Sequence, residues 1–164
     1  MNRPNLALTL ALLASGPVLA FTDPRTGFSS AAPSGWKQST YQGAAVVYLA
    51  PKPLKGFNPN INVVVQDVPA AFTLGRYTEV SLPQLKAALP GSKVVVLRAT
   101  TLSGLGATQL NYTATQGNYK LYFTQTYTVV GKHAHLLTGT TLQGQEAALA
   151  PVMAAFVKSF TIRR

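Results

Sequence analysis

Three consecutive runs in the second half of the chain restrict its fold more than any other feature. Residues 107–115 alternate, with Thr108, Leu110, Tyr112 and Ala114 on one side and Gln109, Asn111, Thr113 and Thr115 on the other. Gln116-Gly117-Asn118 supplies a turn. Residues 119–130 keep the period of two: Tyr119, Leu121, Phe123, Tyr127 and Val129 face one way, and Lys120, Thr124, Thr126 and Thr128 largely the other. Gly131-Lys132 then turns the chain into 133–141. Strands joined by such short turns pair antiparallel with their chain neighbours. The three runs therefore predict a meander, and its faces need cover from other elements.

Further strands precede it. Residues 44–50 (AAVVYLA) form a continuous apolar run, long enough for a buried strand. Residues 61–68 (INVVVQDV) are β-branched and bounded by Asn58-Pro59-Asn60 and Pro69, and 93–100 (KVVVLRAT) follow Pro90-Gly91. Two segments carry the helical period instead. In 73–89, Leu74, Tyr77, Ser81, Leu85 and Ala88 recur at steps of three or four, with Thr73 placed to cap the N-terminus. Pro83 predicts a kink or a restart there. In 144–160, Leu149, Val152, Met153, Phe156 and Phe160 make an apolar stripe, and Pro151 predicts a second bend. Glu146 and Lys158 sit where the helix dipole favours them. Strands with two covering helices make an α+β domain. With no long linker and no internal repeat, residues 21–164 read as one domain.

Residues 1–20 read as a signal peptide. Arg3 precedes the apolar run 6–14 (LALTLALLA), Ser15-Gly16-Pro17 ends it, and Val18-Leu19-Ala20 suits a signal peptidase. The run falls short of the roughly 20 residues that span a bilayer. Cleavage near Ala20-Phe21 would leave an extracytoplasmic chain, periplasmic or secreted, with no transmembrane segment. The chain holds no cysteine, so a lipid anchor on a cysteine thiol has no attachment point.

Charge and scarcity of reactive groups narrow the function. Fourteen Lys and Arg stand against four Asp and Glu, a net charge of +10 that falls to +9 once Arg3 is removed. The cations are scattered singly, with only Arg163-Arg164 adjacent, whereas nucleic-acid interfaces cluster cations among stacking aromatics. No nucleic acid is expected. The charge suits solubility or attraction to an anionic envelope component.

The catalytic stock is small. His133 and His135 form an H-x-H that projects two imidazoles from one strand face and can seat two ligands of zinc or copper. A third ligand would have to come from another strand. Two ordinary half-exposed strand histidines are the simpler reading, and no metal or other cofactor is expected. Gly104-Leu105-Gly106 leads into a strand and not a helix, so it reads as a tight connection and not a phosphate cradle. Ser103 lacks the setting of a hydrolase nucleophile. Asp23, Asp67, Glu79 and Glu146 lie far apart in sequence. Asp67 at a strand end and Glu146 in a first helical turn have ready structural roles.

The segment 51–60 (PKPLKGFNPN) is too rich in proline for a central strand and reads as a stiff exposed loop. Lys52 and Lys55 can meet an acidic partner there, while Leu54 and Phe57 either add apolar contact or pin the loop to the core.

The order of these features resembles a known family. It runs through Gly27-Phe28-Ser29, Pro33-Ser34-Gly35-Trp36, Asn62-Val63-Val64-Val65, Thr73-Leu74 with Tyr77, Ser81-Leu82 and Gln84-Leu85-Lys86. It continues through Thr101-Leu102-Ser103-Gly104-Leu105-Gly106-Ala107, Leu110-Asn111-Tyr112-Thr113, Phe156 and Ser159-Phe160. Residues 27–162 so ordered resemble the PsbP-like/DcrB-like superfamily of photosystem extrinsic subunits, a Ran-binding nuclear transport factor and bacterial envelope proteins. The resemblance implies an antiparallel sheet of about six strands sandwiched by helices in an α/β/α arrangement. It also implies a binding scaffold with no catalytic residue to carry over, and no partner, since functions diverge on one fold.

These readings converge on a secreted or periplasmic, non-enzymatic binding or scaffold protein of the envelope. Its partner would be an unidentified protein or an anionic envelope component. Two alternatives stand beside it: a small envelope hydrolase or metal-dependent enzyme, and a protein held by charge to anionic lipid or polymer.

Overall fold

Period-two alternation sets the sheet, and short proline-free turns at 103–104, 117–118 and 131–132 order its second half. The computed structural model describes residues 20–163, so the expected signal segment lies outside the described residues except for Ala20. In chain order the elements are β1 (Ala20–Thr22), β2 (Ser29–Ala31), β3 (Lys37–Ser39), β4 (Val46–Leu49), β5 (Asn60–Asp67) and α1 (Leu74–Ala88). They continue with β6 (Lys93–Leu102), β7 (Leu105–Gln116), β8 (Tyr119–Val130), β9 (His133–Leu142) and α2 (Glu146–Ser159). Seven strands form one antiparallel sheet in the order β3-β4-β5-β9-β8-β7-β6, and β1 and β2 make a separate hairpin. The sheet is one strand wider than the expected six because β3, three residues long, carries no readable period.

Alternation sends each strand's apolar residues to two faces, and one helix covers part of each. On one face Val46, Tyr48, Ile61, Val63 and Leu137 pack with Leu149, Met153 and Phe156 of α2. On the other, Leu110, Tyr112, Tyr127, Ala134 and Leu136 pack around Tyr77 of α1. The arrangement is the α/β/α sandwich that the resemblance implies. Gly139 of β9 lets α2 come close: a Cβ there would lie 3.1 Å from Met153 Sδ and 3.2 Å from a Leu149 methyl.

Neither helix restarts at its proline. α1 runs unbroken through Pro83 and α2 through Pro151. Both prolines are exposed, so the carbonyl that each ring deprives of its N–H partner can turn to water. Thr73 caps α1 as expected, its Oγ1 accepting from Arg76 N at 3.1 Å.

The ends are tied together. Phe21 of β1 packs on Phe28 at 5.7 Å, and Phe28 stacks on Phe160 at 4.8 Å between centroids. Ser29 and Thr161 exchange backbone hydrogen bonds, both 2.9 Å. Ser103 and Gly104 form the two-residue β6–β7 turn with φ of +53° and +73°. Ser103 Oγ also accepts from Ile162 N at 2.9 Å, a structural task for that serine. The outer strand β6 is interrupted by a bulge between Val94 and Val96 that turns Val95 out, 55% exposed. Bulges and edge lysines discourage further strand pairing.

Candidate functional site

α1 is fastened at one side of its sheet face and leaves the other open. Tyr77 OH donates to Gln66 Oε1 at 2.6 Å, and the hydroxyls of Thr78 and Tyr127 lie 2.8 Å apart. Burial, with Tyr127 beside it, pushes the Tyr77 phenol up to about 12. Beyond this contact, β4, β5, β9 and β8 form the floor of an open cleft of about 540 Å³. Its floor is largely apolar, with Val47, Leu49, Val64, Leu121 and Phe123, but Asn60, Asn62 and Thr140 interrupt it. One flank is the 39–44 connection, where Tyr41 is 75% exposed, and Phe57 and Gln116 complete the lining.

The alternation of β5 explains this lining. Ile61 and Val63 go to the α2 core, so Asn60, Asn62 and Val64 must face the cleft. Amides are tolerated there because no helix covers them. Among the described residues, no carboxylate, imidazole, lysine or arginine lines the cleft. Its described lining can bind by shape, apolar contact and amide hydrogen bonds.

The 51–60 loop scatters the four residues expected to act together. Leu54 and Phe57 exchange backbone hydrogen bonds of 2.7 and 2.8 Å around Lys55 and Gly56, whose φ values are +48° and +83°. That is a tight two-residue turn of the type with two positive φ angles. Phe57 lines the cleft and tilts against Tyr119 at 5.4 Å. Lys52 and Leu54 line a smaller hollow on the α2 side with Trp36 and Val152. Lys55 sits at the tip, in a shallow depression shared with Lys120 and Tyr119. Of the four, Phe57 alone belongs to the cleft.

His133 and His135 do share a face, with rings 6.4 Å apart. Their environments differ. His133 Nδ1 is 3.1 Å from Asp67 Oδ1, and Arg25 Nη1 is 3.5 Å from Asp67 Oδ2. His135 is not half-exposed: it is 2% exposed, between Phe28 and Phe160, and neither ring nitrogen has a hydrogen-bond partner among the described residues. Burial first, then His133, pulls its imidazole down to about 4. Among the described residues no group of three His, Cys, Asp or Glu is placed to hold a metal ion. The carboxylates are otherwise engaged. Asp23 accepts from Thr26 N and Oγ1, Glu79 pairs with Arg76, and Glu146 accepts from Gly144 N.

Sequence reasoning missed the open flank. Tyr41 stands in a segment without period, and Asn60 and Asn62 look like strand-opening residues. Their recurrence at a spacing of two beside β-branched residues was the available signal. A relay on the α2 side was also missed: Arg98 Nε donates to Gln109 Oε1 at 2.9 Å, and Asn111 Nδ2 to Tyr122 OH at 3.1 Å. Gln109 Nε2 joins the two pairs by donating to Asn111 Oδ1 at 3.3 Å.

A sequence model of DcrB matches residues 31–159, most of the chain. The chain belongs to the DcrB family. Solved structures carry the same fold. Cyanobacterial PsbP (CyanoP) of Synechocystis sp. PCC 6803 superposes with a TM-score of 0.69 at 15% identity, covering 94% of this chain and 98% of that one. LpqN of Mycobacterium tuberculosis, involved in cell envelope biogenesis, gives 0.70 at 16% identity over 92% and 88%. The Ran-binding protein Mog1p of Saccharomyces cerevisiae gives 0.61 at 8% identity over 89% and 95%. No curated protein sequence matches the chain. This DcrB-family chain has, among its described residues, no helix long and apolar enough to cross a membrane.

Proposed function

We propose that this DcrB-family chain is a non-enzymatic binding protein of the cell envelope, holding a protein partner in the cleft beside Phe57. One observation carries the reading. The cleft is largely apolar, edged by amides and hydroxyls, and among the described residues no carboxylate, imidazole or cation lines it. Such a lining suits an apolar side chain on an extended partner segment, whose backbone amides pair with Asn60, Asn62 and Gln116. The signal-like residues 1–20 support an extracytoplasmic location. So does the similarity to LpqN, itself involved in cell envelope biogenesis. The groups an enzyme would need, Asp67, His133 and Asp23, belong to the opposite end of the sheet and to its hairpin, away from the cleft.

A photocrosslinking amino acid in place of Tyr41 tests this in intact envelopes. Capture of a protein that is abolished by Asn62→Phe, which fills the cleft, supports the proposal provided the variant keeps its melting temperature. Capture that is absent, or indifferent to Asn62→Phe, overturns it.

A further inference from the structure

The register of the sheet divides the cations unevenly. Lys37 of β3 lies opposite Leu49, which pairs with Asn60 and so leads through Thr140 and Phe123 to Tyr112 and Val94. Lys93 and Lys120 lie one to a few residues further toward that same end, opposite Thr113 and Thr115. Lys52 and Lys55 are in the β4–β5 connection at this end. Lys86 is in the last turn of α1, just before the chain enters β6. All six lysines are exposed. The one carboxylate at this end, among the described residues, is Glu146 in the first turn of α2.

The opposite end is different. Arg25, Arg76, Lys132, Lys158 and Arg163 share it with Asp23, Asp67 and Glu79, and the ion pairs Arg25–Asp67 and Arg76–Glu79 neutralise part of the charge. None of the six lysines forms an ion pair among the described residues. All four described arginines also lie elsewhere.

That choice of cation indicates the partner. Arginine forks onto single carboxylates or phosphates in a fixed geometry, whereas lysine is a mobile, strongly hydrated point charge. A pole of lysines on loops, strand ends and a helix end, with no arginine and one acid, matches a diffuse sheet of negative charge better than a structured acidic peptide. We propose that this lysine pole is a docking face for a membrane surface bearing anionic lipid headgroups. The proposal rests on the envelope location given above. It places the mouth of the Phe57 cleft near the membrane and leaves Arg25, Asp67 and His133 pointing away.

Sedimentation of the full chain with vesicles of phosphatidylglycerol and phosphatidylcholine, against phosphatidylcholine alone, is the test. The expected result is binding to the anionic vesicles that falls steeply with salt. The triple variant Lys52→Gln, Lys55→Gln and Lys120→Gln should bind about a hundredfold more weakly, at about fivefold per lysine near the surface. Lys132→Gln, Lys158→Gln and Arg163→Gln remove the same charge from the other end and should bind nearly as the parent does. Both variants should keep the parental melting temperature, since every side chain changed is exposed.

Equal weakening by the two variants reduces the effect to net charge and overturns the pole. No binding to anionic vesicles, or equal binding to soluble polyglutamate, overturns the lipid assignment. If vesicle binding fails while crosslinking from position 41 persists, the pole falls and the cleft stands. The reverse pattern leaves the pole and removes the cleft.

Discussion

The rings of His135 and Phe28 stand nearly perpendicular, 6.1 Å between centroids and 89° between planes, and neither imidazole nitrogen has a hydrogen-bond partner among the described residues. A buried polar side chain without a partner weakens the fold it sits in. His135→Leu should therefore stabilise the protein by about 1–3 kcal/mol, read as a higher denaturant midpoint at pH 7. A loss of stability would mean that the ring packs better than its nitrogens harm.

The same ring gives stability a pH dependence of known sign. Its folded value is pulled down to about 4 from an ordinary 6.5. Between these values the unfolded chain binds the extra proton, so stability rises with pH. The contribution is complete above about pH 7 and is lost as pH falls through 6.5 toward 4. Asp23 opposes the shift, and His133 and Arg25 reinforce it. Melting temperatures from pH 4 to 8 should climb in the parent and be flatter in His135→Leu.

Tyr127 and Thr78 share a hydrogen bond whose direction follows from the neighbours. Thr78 Oγ1 already gives its proton to Leu74 O at 3.1 Å, so the Tyr127 hydroxyl donates. Tyr127 is fully buried. Tyr127→Phe should cost about 0.5–1.5 kcal/mol. Tyr77→Phe should cost less, because its partner Gln66 is exposed and water can replace the phenol. Chemical denaturation of both variants orders the two effects.

Gly139 lies directly under Met153 and Leu149 of α2. Gly139→Val would push Met153 and Leu149 outward and should cost about 1–3 kcal/mol, as overpacking does. A midpoint equal to the parent's would show that the Met153 thioether simply swings aside.

At the 54–57 turn both central residues have positive φ. Gly56→Ala should lose about 1–2 kcal/mol for an L-residue in that conformation, with Tyr119 OH only 3.2 Å from the new methyl. Lys55→Asn, the residue preferred at that first position, should gain a few tenths of a kcal/mol. Thermal melts distinguish gain from loss.

Legibility in the sequence followed physical period. β8 begins and ends where alternation places it, and β7 and β9 extend theirs by a residue or two, because one residue of slip would turn Leu121 and Phe123 away from the α1-side core. The strands β1, β2 and β3 hold three residues each, too few to show a period. They are specified by contacts distant in sequence, such as Ser29 with Thr161. Pro83 signalled a kink or a restart, and no restart occurs, since its position on an exposed face was invisible before packing. The cleft was half legible. Phe57 advertised itself as an aromatic in a proline-rich loop, whereas Tyr41, Asn60 and Asn62 gained meaning only from where α1 stops covering the sheet.

The strand order has one more consequence. β6 to β9 follow one another in chain and in space, but β5 meets β9 by pairing residues as distant as Asn60 and Thr140. The cleft lies across this seam, with Val47, Leu49 and Asn62 on one side and Leu121, Phe123 and Thr140 on the other. A partner seated there would clamp two blocks of the sheet that otherwise meet through a single long-range strand pair. Occupancy and closure of the seam are then linked: the bound chain should resist local opening along β5 and β9, and whatever loosens the seam should release the partner.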